Sequence, residues 1–306
     1  METYEMLFDI PEYYNWNNIR KIQKGWSADI KFFAETNLGE RILIRVSDAL
    51  YFDEKYKEYQ MIQTYASLGF EMSKPIAFGT CMNGTKVYMI LSWVDGEDLE
   101  AVLPNMTEKE QYELGKKAGM ILKAIHSIPV LETDLPENDK KEKKLKQLAR
   151  YEESSVRIAK DESTIQYIKD NIDKIWREPV VYQHGDFHPG NLILTKTHEI
   201  GVIDFNRWEV GDPYEEFYKL ESFGTKLSIP YCIGQIDAYF NDNVPKTFWE
   251  TLSVYVAHAS LHSIKWAEKF GQTDIDFMVD CCKDAFEHYD NFNNVIPAWY
   301  DTKVKI

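Results

Sequence analysis

Cysteine is scarce: four residues in 306 (Cys81, Cys232, Cys281, Cys282), two of them adjacent, with no Cys-x-x-Cys pair. This excludes a zinc finger or ribbon, whose ligands come in pairs two to four residues apart. It also excludes a disulfide scaffold, which uses far more cysteine. Basic residues are outnumbered, 35 Lys plus Arg against 50 Asp plus Glu, for a net charge of -15. Duplex nucleic acid would be repelled by that surplus, whereas a cationic small molecule would not. No apolar run approaches the roughly 20 residues of a membrane span. The first sixteen residues carry Glu2, Glu5, Asp9 and Glu12 where a secretory signal has a basic start and an apolar run. These absences lead to the expectation of a soluble cytoplasmic protein with reduced thiols, a monomer by default, contacting neither membrane nor nucleic acid.

What is present is an ordinary globular composition: 44% apolar, 28% charged and 14% aromatic. The length suggests two domains with enough core to fold without staples. Lys31–Glu35 and Arg41–Val46 are β-rich runs joined through Asn37-Leu38-Gly39, a hairpin signal. Residues 53–68 have helical character and end at Gly69, and Val87–Val94 reads as a buried strand ending in Asp95-Gly96. From Thr107 the pattern turns helical, opening on a Thr-x-x-Glu capping box and running to Pro129. Charged helices follow over 138–177, with Lys140–Lys146 read as a solvated face. Two short strands lie near Leu192–Leu194 and Gly201–Ile203, and an aromatic-rich helical region begins at about 213. The chain therefore divides into a small β-rich lobe over 1–96 and a larger helical lobe over 97–306.

The stretch richest in chemistry is Tyr182–Phe205. It holds His184-Gly185-Asp186, then Asn191, then Asp204. Phosphoryl transfer needs one carboxylate to orient the acceptor hydroxyl, and a carboxylate with an amide oxygen to hold magnesium against a triphosphate. Strands between Asn191 and Asp204 would form a hairpin that returns Asp204 to face Asp186. The run H-G-D-F-H-P-G-N-L at 184–192, the I-D-F at 203–205 and Gly211-Asp212-Pro213 resemble the aminoglycoside phosphotransferase family, a branch of the protein-kinase-like fold. The resemblance implies an α+β, bilobal kinase-like architecture with a nucleotide-binding first lobe and a catalytic, substrate-binding second lobe. It implies Asp186 as the catalytic base, Asn191 and Asp204 as Mg2+ ligands, and His184 and His188 as supports of the loop.

A kinase-like first lobe also needs a strand cation for the phosphates and a helical Glu to hold it. By position these are Arg45 and Glu58, with arginine where kinases carry lysine. Lys24–Asp29 would be the phosphate-covering loop, with a single glycine; Ser27 is its candidate donor, and Lys31 on the following strand is expected to share the phosphate charge. Ser92 and Val94 stand where the family presents backbone to a purine edge, with Leu91 behind and Trp93 either packing or exposed.

For the acceptor, acids and aromatics of the second lobe suggest Glu216, Trp266 and Glu268 as contacts for a cationic amino sugar. Asp212 is expected to bond backbone near the loop. Tyr255, His258 and His262 share a helix face that fits a metal site loosely and a packed core better. The resulting expectation is a Mg2+-dependent O-phosphotransferase moving the γ-phosphate of ATP or GTP to a hydroxyl of an aminoglycoside-like cationic substrate. The alternatives are a macrolide or small-metabolite kinase and, from another class, a nucleotide-binding pseudoenzyme.

Overall fold

The structure, a computed structural model, describes residues 2–23 and 29–301. Along the chain run α1 (Glu2–Glu5), β1 (Trp16–Ile22), β2 (Ile30–Thr36), β3 (Arg41–Asp48), α2 (Phe52–Ala66), β4 (Glu71–Met72), β5 (Pro75–Cys81), β6 (Lys86–Ser92) and β7 (Gly96–Asp98). Then come α3 (Leu99–Val102), α4 (Glu108–His126), α5 (Lys141–Glu152), α6 (Glu162–Asn171), β8 (Val181–Gln183), β9 (Leu192–Thr195), β10 (Ile200–Val202) and β11 (Glu209–Gly211). Helices α7 (Ile229–Phe240), α8 (Lys246–Ala267), α9 (Gln272–His288) and α10 (Ala298–Asp301) complete the order. This is the α+β arrangement expected, sheet-rich first and helical afterwards. The chain forms two compact units, one of Met1–Glu97 with Ile193–Asn206, the other of Asp98–Leu192 with Arg207–Ile306. Residues 193–206 thus rejoin the first unit, which a single cut in the sequence does not capture.

In the first unit an antiparallel sheet has the order β1-β2-β3-β6-β5. Side chains alternate across a strand, and β3 shows what that alternation does. Ile42, Ile44 and Val46 face a core with Phe32, Ala34, Tyr88 and Ile90, closed by Met6, Leu7, Ile10 and Trp16 of the N-terminal segment. The opposite face of β3 presents Arg45 toward α2, whose inward side carries Glu58, Tyr59, Met61, Ile62 and Tyr65. A second sheet has the order β4-β10-β9-β7, with β4 and β10 parallel.

The second unit is built on helices. Thr107 caps α4 with the reciprocal bonds of a capping box: Glu110 N to Thr107 Oγ1 at 3.3 Å and Thr107 N to Glu110 Oε2 at 2.9 Å. Against α4 lies α7, whose own cap, Ser228, accepts from Tyr231 N and donates to Gln111 Oε1 at 2.6 Å. The two helices meet backbone to backbone. A Cβ on Gly115 would overlap the carbonyl oxygen of Tyr231, one on Gly119 that of Gln235, and one on Gly234 that of Tyr112. Helix α8 is buried on nearly every side. Among the described residues no helix is long and apolar enough to cross a membrane.

The run Lys140–Lys146 is only partly solvated, contrary to expectation. Lys144 turns inward to Glu215 at 2.5 Å and Lys140 pairs with Glu209, while Lys146 stays outside with Glu142. A buried ammonium is stable only beside a counter-charge, and the acids after β11 supply it. Gly115→Ala tests the close crossing. Helix propensity would favour alanine by up to about 1 kcal/mol, yet overpacking against Tyr231 should cost about 1–3 kcal/mol net. A lower urea midpoint by far-UV circular dichroism is the expected outcome.

Candidate active site

In the first unit the antiparallel register places Lys31 directly opposite Arg45. Arg45 is 3% exposed. Its Nη1 donates to Glu58 Oε1 at 2.5 Å, the pairing expected from position. Its Nε and Nη2 donate to Asp29 Oδ2, and Lys55 Nζ bridges the same two acids at 2.9 Å (Asp29) and 3.1 Å (Glu58). Asp29 and Lys55 were not singled out from sequence; Lys55 carried a signal in its i, i+3 spacing to Glu58 on a helix. Burial works to raise the Asp29 carboxyl, but Arg45, Lys55 and Ser47 outweigh it and hold the group at about 2. For Arg45 burial works against the charge, and Glu58 and Asp29 more than restore it.

Lys31 Nζ lies 3.4 Å from Asp204 Oδ2. Asp204 adopts φ +64, in the left-handed region that Asp and Asn enter more readily than other residues with a Cβ. Ser27 lies outside the described residues. Leu91 is buried at the back of β6. Ser92 exchanges its amide with Lys74, donating to Lys74 O at 2.8 Å, while its hydroxyl accepts from Lys74 N at 2.8 Å. The amide and hydroxyl of Ser92 are therefore committed, which narrows its candidate role to the carbonyl oxygen. Trp93 stacks edge-on to Phe33 at 5.1 Å and is packing. The Val94 side chain covers Gly201, so a role for Val94 at a purine edge rests on its backbone.

In the second unit the antiparallel pair β8–β11 frames the loop from His184 to Asn191. Gly185 has φ +79, and a Cβ there would overlap the carbonyl of Arg207, so only glycine fits. Three devices set the loop. Glu216 accepts from the amides of His184 (2.9 Å) and Gly185 (2.7 Å) and meets His126 Nε2 at 3.0 Å. His184 Nδ1 accepts from Asp186 N at 3.2 Å. Asn191 Nδ2 donates to Asp186 O at 2.8 Å. Beneath them Asp212 accepts from Trp176 N (2.6 Å), Tyr214 N (3.0 Å) and the Tyr255 hydroxyl (2.9 Å), while its carbonyl takes Gln183 Nε2. Burial raises the Asp212 carboxyl despite those donors.

Asp186 receives Lys219 Nζ on Oδ1 at 2.6 Å, with Arg207 Nη1 3.7 Å from Oδ2 and His188 Nε2 3.7 Å from Oδ1. Burial works to raise its carboxyl, but Lys219 leads the cations that hold it well below the carboxylate range. Burial lowers His188 to about 4, so at neutral pH that imidazole is uncharged and the pull on Asp186 comes from Lys219 and Arg207. Lys219 was missed from sequence. Its signal was to be the lone basic residue between Arg207 and Lys226, in a stretch holding Glu209, Asp212, Glu215, Glu216 and Glu221.

The acceptor candidates are placed otherwise than expected. Glu216 is buried under the loop, with its oxygens taken by backbone amides. Glu268 is bound to Ser154 Oγ and Lys265 Nζ, and Trp266 stacks on Phe270 at 4.6 Å with Lys269 over its ring. All three are engaged locally. Tyr255 and His258 are buried in α8 on separate partners, Asp212 and the carbonyl of Lys144.

Each of the two expected donors is by itself of the kind a hard divalent cation takes: Asn191 uses its amide nitrogen on the loop, which leaves its oxygen, and Asp204 carries a carboxylate. Asp186 and Asn191 belong to the second unit, Asp204 to the first.

A model of the phosphotransferase enzyme family matches residues 18–249. A search of curated proteins by sequence returns no match. Solved structures with the same architecture include the GDP complex of aminoglycoside 2'-phosphotransferase-IIIa (16% identity, TM-score 0.71, covering 93% of this chain and 97% of that one). A thermostable mutant of aminoglycoside phosphotransferase APH(4)-Ia, in ternary complex with ADP and hygromycin B, aligns at 15% identity and TM-score 0.67 over 92% and 97%. Amicoumacin kinase hAmiN, in complex with AMP-PNP, Ca2+ and Ami, aligns at 11% identity and TM-score 0.67 over 99% and 95%. The fold is thus the kinase-like fold that the sequence motifs implied.

The Asp29 geometry sets an acid-stability test. A carboxyl depressed in the folded state contributes stability above its ordinary pKa and loses it as pH falls toward the folded value. A shift from 3.8 to about 2 corresponds to about 2 kcal/mol at neutral pH, lost between about pH 4 and pH 2. Asp29→Asn should flatten that part of the urea-unfolding profile.

Proposed function

The chain belongs to the phosphotransferase enzyme family, and on that premise we propose that it transfers the γ-phosphoryl group of ATP or GTP to a hydroxyl of a small molecule. The observation that carries this reading is the loop lattice around Asp186: a carboxylate held ionised by Lys219, on a backbone fixed by Glu216, His184 and Asn191. Such a group is suited to accept a hydrogen bond from an alcohol and orient it in line, which is most of what phosphoryl transfer asks of the protein. The first unit is the nucleotide-binding lobe. Arg45, fixed by Glu58, and Lys31 supply cationic charge for the phosphates, with Ser27 as a further donor and the backbone of Ser92 and Val94 at the purine edge. The second unit is the catalytic lobe. Asn191 and Asp204 would hold Mg2+, which when bound neutralises triphosphate charge. Four free, buried cysteines suit a reducing cytoplasm, and a monomer is sufficient for this assignment.

For the acceptor, a specific observation favours the second reading, a macrolide or small-metabolite kinase. The two acids expected to meet a polyamine sugar are matched within their own unit, Glu216 by amides and His126 and Glu268 by Lys265, as is the neighbouring Glu215 by Lys144. Asp186 itself carries Lys219. An amino-sugar acceptor remains the first arm of the test, since solved structures of the same fold are named for aminoglycosides.

The experiment is a panel of aminoglycosides, macrolides and small amino alcohols, with ATP and GTP as donors and coupled detection of nucleoside diphosphate. Asp186→Asn should lower kcat by at least about 1,000-fold while calorimetric binding of Mg-nucleotide is unchanged. Absence of transfer to every acceptor by the wild-type protein, with nucleotide binding intact, would shift the reading to a nucleotide-binding regulator. Lys31→Ala with unchanged nucleotide affinity would remove Lys31 from the phosphate site.

A further inference from the structure

Lys219 does not belong to the loop it serves. It directly precedes a π-helical turn, Leu220–Gly224, a rare local geometry that concentrates at functional sites. The turn is anchored on its far side: Glu221, buried, accepts from His288 Nδ1 at 2.6 Å and Trp299 Nε1 at 2.9 Å. Its near side carries Phe223, whose ring lies 4.8 Å from that of His188. The Lys219 ammonium sits 5.1 Å from the Tyr218 ring centre and 5.4 Å from that of Phe223, with its side chain 7% exposed. A cation so enclosed has few alternatives to the carboxylate it meets at 2.6 Å. Arg207, 45% exposed, stands 3.7 Å from the other oxygen of Asp186 and leaves that side accessible.

We propose that Lys219 is a positioning residue for the phosphotransfer site: it fixes Oδ1 of Asp186 and reserves Oδ2 for the acceptor hydroxyl. This rests on the assignment of Asp186 as the group that orients the acceptor. A carboxylate rotating about its Cβ–Cγ bond would offer either oxygen, whereas a buried ammonium clamped to one of them selects the rotamer and the face. The charged and titratable groups around Asp186 are Lys219 from the segment before the π turn, Arg207 from the segment before β11, and His188 and His184 from the loop itself.

The test is a pair of crystal structures, of the wild type and of Lys219→Met, with the Asp186 side chain as the readout. In the wild type the carboxylate should hold a single rotamer with one oxygen on Lys219. In Lys219→Met it should turn to another rotamer or divide between two, and Lys219→Arg should restore the first. Should Lys219→Met fail to fold, Lys219→Gln, uncharged and of similar size, replaces it. An Asp186 side chain in the same single rotamer in the wild type and the neutral variant overturns the proposal. With an acceptor from the panel, the neutral variant should lose about 100-fold in kcat with nucleotide KM unchanged, and arginine should rescue it. If the rotamer behaves as expected while no acceptor is phosphorylated, the positioning role stands and the transfer reading fails, so the two are separable.

Discussion

The second unit is organised around one buried carboxylate. Glu216 lies under the loop that presents Asp186 and takes the amide hydrogens of two consecutive residues, His184 and Gly185. Gly185 is left-handed, and the Arg207 carbonyl leaves no room there for a side chain, so the position takes only glycine. A backbone N–H without a partner in such a place costs roughly 1–3 kcal/mol, so the loop has one good conformation and Asp186 inherits it. Asp212 does the same for the strands below, gathering Trp176, Tyr214 and Tyr255. The loop and the strands below it are thus held by two buried acids, Glu216 and Asp212.

Acids used as scaffolding explain where sequence reasoning succeeded and where it failed. The run at 184–192 and the I-D-F at 203–205 were legible because their residue types and spacing are set by chemistry, and the pairing of Arg45 with Glu58 followed from strand and helix positions. The β2–β3 hairpin and the caps of α4 followed from local rules. Glu216 was misplaced because a charged residue near a helix looks the same whether it faces solvent, a ligand or a buried amide. Lys219 was passed over for the converse reason: its partner lies 33 residues away, and being the lone basic residue of an acidic stretch does not say which acid it meets. Strand β1 was hidden by a break in its alternation, since Asn18 is left-handed and the register slips between Asn17 and Arg20. The N-terminal segment, with Glu2, Glu5 and Asp9 between its apolar residues, gave no sign that Met6, Leu7 and Ile10 close the sheet's core.

The net charge of -15 suggested a surface waiting for a cation. Local pairing changes that picture. Around the loop at 184–191, Glu209, Glu215 and Glu216 are paired with Lys140, Lys144, His126 and backbone amides, and Asp186 is paired with Lys219. Global charge acts at long range and is screened within about 8–10 Å at physiological salt, whereas acceptor choice is decided at contact distance. A surplus of acids over the whole chain is therefore a weak guide to what enters one site.

The first unit is made from two stretches of chain separated by almost a hundred residues. Strand β4, near residue 71, finds its parallel neighbour only in β10, at 200–202. During synthesis, a nascent chain that has just emitted its first hundred residues therefore carries an open strand edge, and such edges pair readily with whatever is at hand. The kinetic burden of this arrangement falls on the ribosome-bound polypeptide: completion of the smaller unit must wait until about half of the larger one has been translated.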